Sequence, residues 1–303
     1  MADISRAEVA TLIQEAYSNE LLSSATAAST VLSAFPPVSM GTKTTHMPVL
    51  ATLPTAGWVS ESATDAAGVK PQTEVSWADR TLVAEEIATI VPVHEDVLAD
   101  ATADVLGEVT RLAGQAIGQL LDAAVIFGTN KPASWTSAAL LPAAVAAGQT
   151  KAVVDGNANV DDIVGAINQA GKLIAGAGWM PDTVLAPLTL RYDVSNIRDA
   201  NGLPIFRDES LSGYRTHFNR NGAWAPASAT AILADSSRVR IGVRQDITVK
   251  FLDQATVGTI NLAERDMVAL RFKARYAYVL GTAATSLGAN KVPVAAITPD
   301  VTP

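Results

Sequence analysis

The segment from Gly57 to Gly128 constrains the fold of this chain more than any other part of the sequence. A polar stretch between Trp58 and Trp77 leads into alternating apolar residues, which end at Pro92 and are followed by apolar positions with helical spacing. This pattern predicts a long two-stranded hairpin with a polar tip, joined to one long helix. Because an isolated hairpin is only marginally stable in water, we expect neighbouring subunits to complete this arm.

Composition indicates a globular, soluble chain that does not bind nucleic acid tightly. The 303 residues are 49% hydrophobic and 17% charged, and the net charge is −8. Tight binding to nucleic acid needs clustered Lys and Arg, although an acidic wall can still enclose nucleic acid at a distance. The absence of cysteine excludes disulfides and thiolate metal sites. The acidic N-terminus does not resemble a signal peptide, so we expect synthesis in the cytoplasm.

The remaining periodicity predicts an α+β chain. Helical spacing predicts an amphipathic helix over residues 4–22, a long helix from about Ala103 to Phe127 and another from Asn159 to Gly176. Residues 129–158 are loop-like in composition. Strands are predicted at 75–93, 183–186, 229–234, 238–244, 246–252 and 266–280.

No convergent set of residues predicts catalysis, a metal site or a cofactor. The histidines His46, His94 and His217 are far apart in the sequence, and no HExxH motif is present. The stretch from Gly165 to Lys172 has the wrong spacing for a phosphate-binding loop and lies inside a helical pattern. An enzyme of unknown type is the alternative that a deep pocket with strongly shifted titratable groups would support.

Two sets of residues are candidates for contacts between subunits. Trp58 and Trp77 flank the hairpin tip, where large aromatic side chains pack locally across the strands or anchor an interface. Arg271, Lys273 and Arg275 share one face of a predicted strand. That face is solvated or salt-bridged within its own sheet, or it contacts acidic residues of a neighbour, or it binds nucleic acid.

The order of these segments resembles the major capsid protein of tailed double-stranded-DNA bacteriophages, which has the Hong Kong 97 capsid fold. The resemblance covers most of the chain from Val38 to Leu280, and it rests on the order and spacing of six short segments. They are GWVSE at 57–61, VPVHEDVLAD at 91–100, DAAVIFGT at 122–129, RDANGLPIF at 198–206, ATAILADSSRVRIGVRQDITVKF at 229–251 and ERDMVALRFKARYAYVL at 264–280.

This resemblance implies a division of the chain and a set of contacts. The implied segments are an N-terminal arm (1–37), an extended β-hairpin loop that lies over the adjacent subunit (50–85), a peripheral domain with a long spine helix (38–49, 86–157 and 245–303) and an axial domain (158–244). The candidate intersubunit contacts are Trp58, Glu61, Lys70, Trp77, Arg80, Arg271, Lys273 and Arg275. Some relatives crosslink a loop lysine to an asparagine, but no spacing identifies a partner for Lys70.

The resemblance also implies a function. The chain would be a structural protein, not an enzyme, that self-assembles into hexamers and pentamers of an icosahedral head around double-stranded DNA. Implied partners are further copies of the chain, a portal, a scaffolding protein and decoration proteins, with little direct contact to DNA and no membrane or cofactor. The implied location is the virion, after assembly in the host cytoplasm. An encapsulin shell that encloses a cargo enzyme is the alternative, although the long hairpin favours the phage.

Overall fold

Helices and strands alternate along the chain, which gives the predicted α+β fold. The computed structural model describes residues 29–56, 72–96, 105–153, 163–195, 197, 213–282 and 291–299. The helices are α1 (Thr30–Ala34), α2 (Val105–Asp122), α3 (Leu140–Ala146), α4 (Ile163–Gly176) and α5 (Leu188–Ser195), and α2 continues as a π-helical turn over Ala123–Phe127. The strands are β1 (Pro37–Ser39), β2 (Thr44–Thr52), β3 (Ser76–Val83), β4 (Glu85–His94), β5 (Thr150–Ala152), β6 (Thr183–Pro187), β7 (Arg215–Asn219), β8 (Ala231–Ala234), β9 (Val239–Leu252), β10 (Thr256–Val257), β11 (Ile260–Asn261), β12 (Met267–Leu280) and β13 (Val294–Thr298).

A four-stranded sheet in the order β1-β9-β12-β4 carries α2 on one face. The predicted alternation of β12 is confirmed, because Phe272, Ala274 and Tyr276 are buried in the core while the residues between them are only half-buried. Ile117 and Leu121 of α2 belong to the same buried cluster. Burial of one face of the sheet under a long amphipathic helix therefore forms the main core.

Strand β9 is one strand where the sequence predicted two. It runs without interruption from Val239 to Leu252, but its register against β12 shifts between Lys273 and Tyr276. Lys273 lies opposite Thr248 and Tyr276 lies opposite Val243, so β9 has two extra residues in this interval. Such a bulge interrupts the alternation of side chains, which explains why the sequence pattern breaks there.

The single strand predicted over 75–93 is two strands that exchange partners at Ala84. Strand β3 pairs with β2 as the predicted hairpin, whereas β4 pairs with β12 in the four-stranded sheet. Ala84 itself is buried, and its N–H donates to the carbonyl of Lys43 at 2.8 Å. The strand can change sheets at this point because a backbone hydrogen bond is kept at the junction.

The long helix is confirmed over its described length. Helix α2 and its π-helical turn end at Gly128, which adopts φ of 78° and donates its N–H to carbonyls of the last turn. Glycine reaches this left-handed conformation without steric cost, so Gly128 is a natural end for the helix. The predicted start of this helix near Ala103 lies outside the described residues.

A five-stranded sheet in the order β5-β13-β8-β6-β7 is buried on both faces. Along β8, Ile232 and Ala234 face the main core, while Ala231 and Leu233 face a second core formed with α4 and α5. The sequence did not predict α3 or the strands β5, β7 and β13. Because β5 and β13 belong to segments that the resemblance assigned to the peripheral domain, this sheet joins both proposed domains, and their boundaries stay a prediction.

The end of the proposed N-terminal arm packs on its own subunit. Val31 and Phe35 of this segment are fully buried in the main core. Strand β1 then pairs in parallel with β9, with Val38 opposite Gly242. The amphipathic helix predicted over residues 4–22 lies outside the described residues, so an arm that reaches a neighbour stays a prediction.

Candidate subunit interface and its buried anchors

The β2-β3 hairpin exposes a large aromatic side chain and has little core of its own. Trp77 lies opposite Leu50 across the hairpin and is 67% exposed. This exposure shows that the described residues cover only a small part of the Trp77 side chain. Large aromatic residues that become buried are frequent anchors of protein interfaces, so Trp77 is placed as the interface prediction requires. Whether it contacts a neighbour stays a prediction.

The base of the hairpin is fixed to the rest of the subunit. Leu82 and Met40 pack with residues of β12 in a small buried cluster. The indole of Trp135 donates to the carbonyl of Val83 at 3.0 Å. Arg80, which the sequence suggested as an intersubunit contact, donates from Nη2 to Oγ1 of Thr282 in its own chain at 2.9 Å. The hairpin is thus anchored at one end and exposed beyond it.

Three further candidates, Trp58, Glu61 and Lys70, lie outside the described residues. Nothing in the structure brings them together with Trp77 or separates them from it. Their role as contacts between subunits stays a prediction that rests on the resemblance alone.

The basic face of β12 is salt-bridged within its own sheet. Lys273 Nζ lies 2.6 Å from Oε2 of Glu86 on β4, and Arg275 Nη2 lies 3.3 Å from the same oxygen. The hydrogen bond from Lys273 lowers the pKa of Glu86, and Arg275 lowers it further by a smaller amount. Partial desolvation acts in the opposite direction but does not outweigh them. Of the alternatives that the sequence left open, this geometry favours the salt-bridged face for Lys273 and Arg275.

Arg271 differs from its two neighbours on the same face. It lies opposite Ile90 on one side and Lys250 on the other, and it has no ion pair within the described residues. Its Nε is buried without a hydrogen-bond partner among them. Ile90 is 41% exposed. Arg271 therefore keeps unused hydrogen-bonding capacity beside an exposed apolar side chain, and its contact with a neighbour stays a prediction.

A buried carboxylate, which sequence reasoning missed, joins the start of α1 to the end of α2. Asp122 Oδ1 accepts hydrogen bonds from Ser29 Oγ at 2.6 Å and Val31 N at 3.1 Å. Its Oδ2 accepts one from Thr30 N at 2.8 Å. The side chain thereby satisfies N–H groups in the first turn of α1, which have no partner within the helix. Asp122 acts as a cap supplied from a distant part of the chain.

The same carboxylate also holds the last residue of β7 and the loop that follows it. Asn219 and Asn221 donate their side-chain amides to Asp122 Oδ2 at 3.1 and 2.9 Å. Desolvation raises the pKa of Asp122, against the opposing effect of its hydrogen bonds. An acid placed among the apolar residues of a helix was the available sequence signal, because buried Asp is rare unless it is partnered.

Asp182 forms a second polar anchor at the start of β6. It accepts hydrogen bonds from the N–H and hydroxyl of Ser236 at 2.7 and 2.6 Å, and it is paired with Arg215. Partial desolvation pushes the pKa of Asp182 upwards, but these hydrogen bonds and the charge of Arg215 outweigh it and lower the pKa. The anchor ties the ends of β6, β7 and β8 together.

A serine–histidine contact links α1 to β7. Ser33 Oγ lies 3.2 Å from Nδ1 of His217. The hydroxyl also donates to the carbonyl of Thr30 at 2.8 Å, and while it does so the imidazole N–H donates to Ser33. Desolvation and the nearby Arg215 lower the pKa of His217. The contact is a structural hydrogen bond between two elements.

Neither a metal site nor a membrane-spanning helix is found in the described ranges. In those ranges no group of three or more His, Cys, Asp or Glu side chains is arranged to hold a metal ion. The helices of the same ranges include none that is long and apolar enough to cross a bilayer.

Comparison with known proteins extends the resemblance to the whole chain. The phage capsid family matches residues 10–284. A solved structure from Mycobacterium phage Cain is 67% identical over 100% of both chains, with a TM-score of 0.85. One from Microbacterium phage Oxtober96 is 42% identical, covers 90% of this chain and 91% of that chain, and has a TM-score of 0.82. No curated protein matches the chain.

A more distant structure supports the fold alone. It is described as the capsid of a native GTA particle, and it is 16% identical over 90% of this chain and 89% of that chain, with a TM-score of 0.62. A fold can persist at an identity this low, while residue-level contacts cannot be transferred.

The fold and the exposed hairpin define a structural protein of a viral shell, with the predicted Hong Kong 97-type fold. The chain belongs to the phage capsid family, whose model covers most of its length. It is a phage major capsid protein, not an enzyme; it self-assembles into shells, and its place is the capsid of the virion. These relatives favour the phage capsid over the encapsulin alternative.

Proposed function

We propose that copies of this chain form the hexamers and pentamers of an icosahedral head that encloses double-stranded DNA. The observation that carries this proposal is the β2-β3 hairpin, which is anchored at its base and exposes Trp77 at 67%. A two-stranded arm of this kind gains stability when it lies on another surface. In a shell of identical chains, that surface belongs to the adjacent subunit.

Repeated burial of exposed apolar side chains would stabilise the shell. Burying a large apolar side chain contributes about 1.5–3 kcal/mol, and every copy repeats the contact. Val75 and Trp77 are both largely exposed and lie close together at the start of β3. Many moderate contacts of this size stabilise a closed shell, while each single contact remains weak enough to form and break during assembly.

The other partners follow from the same proposal. With a net charge of −8, the chain would enclose DNA with little direct contact. A portal, a scaffolding protein and decoration proteins would complete the head, and assembly would take place in the host cytoplasm. These partners rest on the resemblance to tailed phages.

Electron microscopy of the purified full chain tests the proposal. We expect closed icosahedral particles built from hexamers and pentamers under assembly conditions. A variant that lacks residues 63–71 should fold but form few particles, whereas a Gly/Ser replacement of the same length controls for chain length. Monomers under all assembly conditions, or equally stable particles from the deletion variant, would contradict the proposal.

A further inference from the structure

A cationic cleft lies at the β5 edge of the five-stranded sheet. It has a volume of about 580 Å³ and is lined by Lys151, Lys172 and Lys291, together with Gln149 and Gln169. None of the described residues that line it is acidic. Within the described part of the chain, none of the three ammonium groups forms an ion pair.

One wall of the cleft is held in place by hydrogen bonds. Lys291 Nζ donates to the carbonyl of Ala147 at 3.1 Å. The side chain of Gln149 accepts from Val292 N at 2.8 Å and donates to Val292 O at 2.9 Å. Three lysines without an acidic neighbour among the described lining residues leave the cleft positively charged, and such a site attracts an anion. The cleft is therefore suited to an anionic group.

Exposed apolar residues near the cleft favour a protein as the source of that anion. Val145 is 56% exposed and lies two residues before Ala147, the acceptor of Lys291. Met180 is 82% exposed and lies three residues after Ala177, which lines the cleft. A phosphate chain gains nothing from such side chains, whereas methionine is enriched at protein interfaces.

The opposite edge of the same sheet presents a complementary surface. Helix α5 packs against β6 and β7 through buried Leu190 and Val194, and this fixes Tyr192 and Asp193 outwards. Tyr192 is 62% exposed, and Asp193 is exposed beside it. The two edges are four strand spacings apart, which is about 20 Å. An exposed aromatic side chain and an exposed carboxylate thus lie near the edge opposite to the cleft.

We propose that Asp193 and Tyr192 of one copy dock into the Lys151–Lys172–Lys291 cleft of the next copy. The inference rests on the proposed function, because a contact between unlike edges is head-to-tail and closes into rings when repeated. The carboxylate of Asp193 enters among the ammonium groups, and the ring of Tyr192 covers the exposed apolar side chains. Lys172 on α4 is exposed, which makes it a suitable counterpart for a charge exchange.

Charge reversal with rescue tests this contact. Asp193→Lys should reduce the assembled fraction about tenfold or more, because it brings a positive charge to three lysines. Lys172→Glu should also reduce it, because a carboxylate at position 172 repels Asp193. The double variant places opposite charges at positions 172 and 193 and should assemble better than Asp193→Lys alone. Asp253→Lys, an exposed charge reversal on the turn after β9, is the matched control and should assemble normally. Circular dichroism and thermal unfolding of each unassembled variant check the fold.

A carbodiimide crosslink supplies a second measurement on the unmodified chain. It joins a carboxylate directly to a lysine amine, so mass spectrometry of assembled particles should identify Asp193 linked to a cleft lysine of another copy. Unimpaired assembly of both single variants, or a double variant without recovery and without the crosslink, would overturn the proposal. If Lys172→Glu forms normal shells that retain less DNA, the cleft binds DNA phosphate and not the neighbouring copy.

The two proposals fail separately. If the wild-type chain forms no particles, the proposed function fails. The carbodiimide crosslink in concentrated unassembled protein then decides this contact by itself, and its absence there rejects the contact.

Discussion

Ser29 Oγ donates a hydrogen bond of 2.6 Å to Asp122 Oδ1, although the two residues are 93 positions apart in the chain. The contact closes a joint of three elements, because the same carboxylate also binds the first turn of α1, Asn219 at the end of β7 and Asn221 just after it. A single buried side chain thus fixes the entry of the chain into the core, the end of α2 and a loop beyond β7.

Removing this carboxylate should destabilise the subunit strongly. Asp122→Ala leaves several buried donors without an acceptor, and we expect a loss of at least about 3 kcal/mol in the free energy of unfolding. Asp122→Asn keeps the shape but turns an amide N–H₂ towards donors, so the loss should be about 1–3 kcal/mol. Urea unfolding at neutral pH measures both.

Ser29→Ala is the matched control, because it removes one donor and one cap while the carboxylate keeps its other partners. The expected loss is about 1 kcal/mol. Equal stability of Asp122→Ala and Ser29→Ala would show that the joint contributes no more than a surface cap.

Acidification should weaken the Asp182 anchor in a defined direction. Because the pKa of Asp182 is lowered in the folded protein from its ordinary value of 3.8, its contribution to stability is present above that value. The contribution is lost as the pH falls through the folded-state pKa. The difference in free energy of unfolding between the wild type and Asp182→Asn should therefore shrink as the pH is lowered from 5 to below 3.8.

Ser236→Ala separates the hydrogen bonds of this anchor from its charge. The variant removes the hydroxyl donor but keeps Arg215. The difference in free energy of unfolding between the wild type and Ser236→Ala should therefore change with pH in the same direction as for Asp182→Asn, but by less. Denaturant unfolding at a series of pH values measures it. A wild-type advantage that is the same at every pH would contradict the lowered pKa.

The hairpin base should not tolerate a side chain at Gly242. A Cβ there would overlap Sδ of Met40 and lie 3.1 Å from the Cβ of Ala277, which has no rotamer through which to move away. We expect Gly242→Ala to cost about 1–3 kcal/mol through overpacking. Gly41→Ala, which meets no atom within 4 Å, is the matched control and should change stability by less than about 0.5 kcal/mol.

A compensating variant tests the same explanation. Met40→Ala removes the overlapping sulfur, so the double variant with Gly242→Ala should lose less stability than the sum of the two single variants. Additive losses would show that Met40 is not the neighbour that limits this site.

Trp77 should matter for assembly but not for folding. Because its side chain is mostly exposed, Trp77→Ser should change the stability of the isolated subunit by less than about 0.5 kcal/mol. It should lower the assembled fraction clearly, while Trp77→Phe, which keeps an aromatic ring, should lower it less. Sedimentation of assembly reactions measures the fraction. Normal assembly of Trp77→Ser would remove this residue from the interface.

The sequence predicted elements whose side chains contrast strongly. Strand β12 alternates charged and apolar residues, and α2 has a regular apolar stripe, so both were recognised. Helix α3 and strand β13 were missed because they consist largely of alanine and small apolar residues, and alanine gives little contrast between a buried and an exposed face. Their positions follow from packing between distant segments, which no local pattern records.

The candidate site was predictable in part for a similar reason. The exposed hairpin with Trp77 follows from a local pattern. The pairing of Lys273 and Arg275 with Glu86 depends on the register of β12 against β4, and the role of Asp122 depends on partners far away in the chain. Sequence alone identified the charged groups but not which of them meet.

The five-stranded sheet, buried on both faces, has a mechanical consequence for a shell. A wall that is packed against a core on each side cannot slide over either without opening close-packed contacts, so it transmits load as a rigid plate. Within the described residues, strand pairing is interrupted at Ala84 at the hairpin base and at the β9 bulge opposite Lys273–Tyr276, so bending there breaks fewer contacts between paired strands. Pressure from inside a head would be carried by the plate, while differences in curvature would be absorbed at those two hinges.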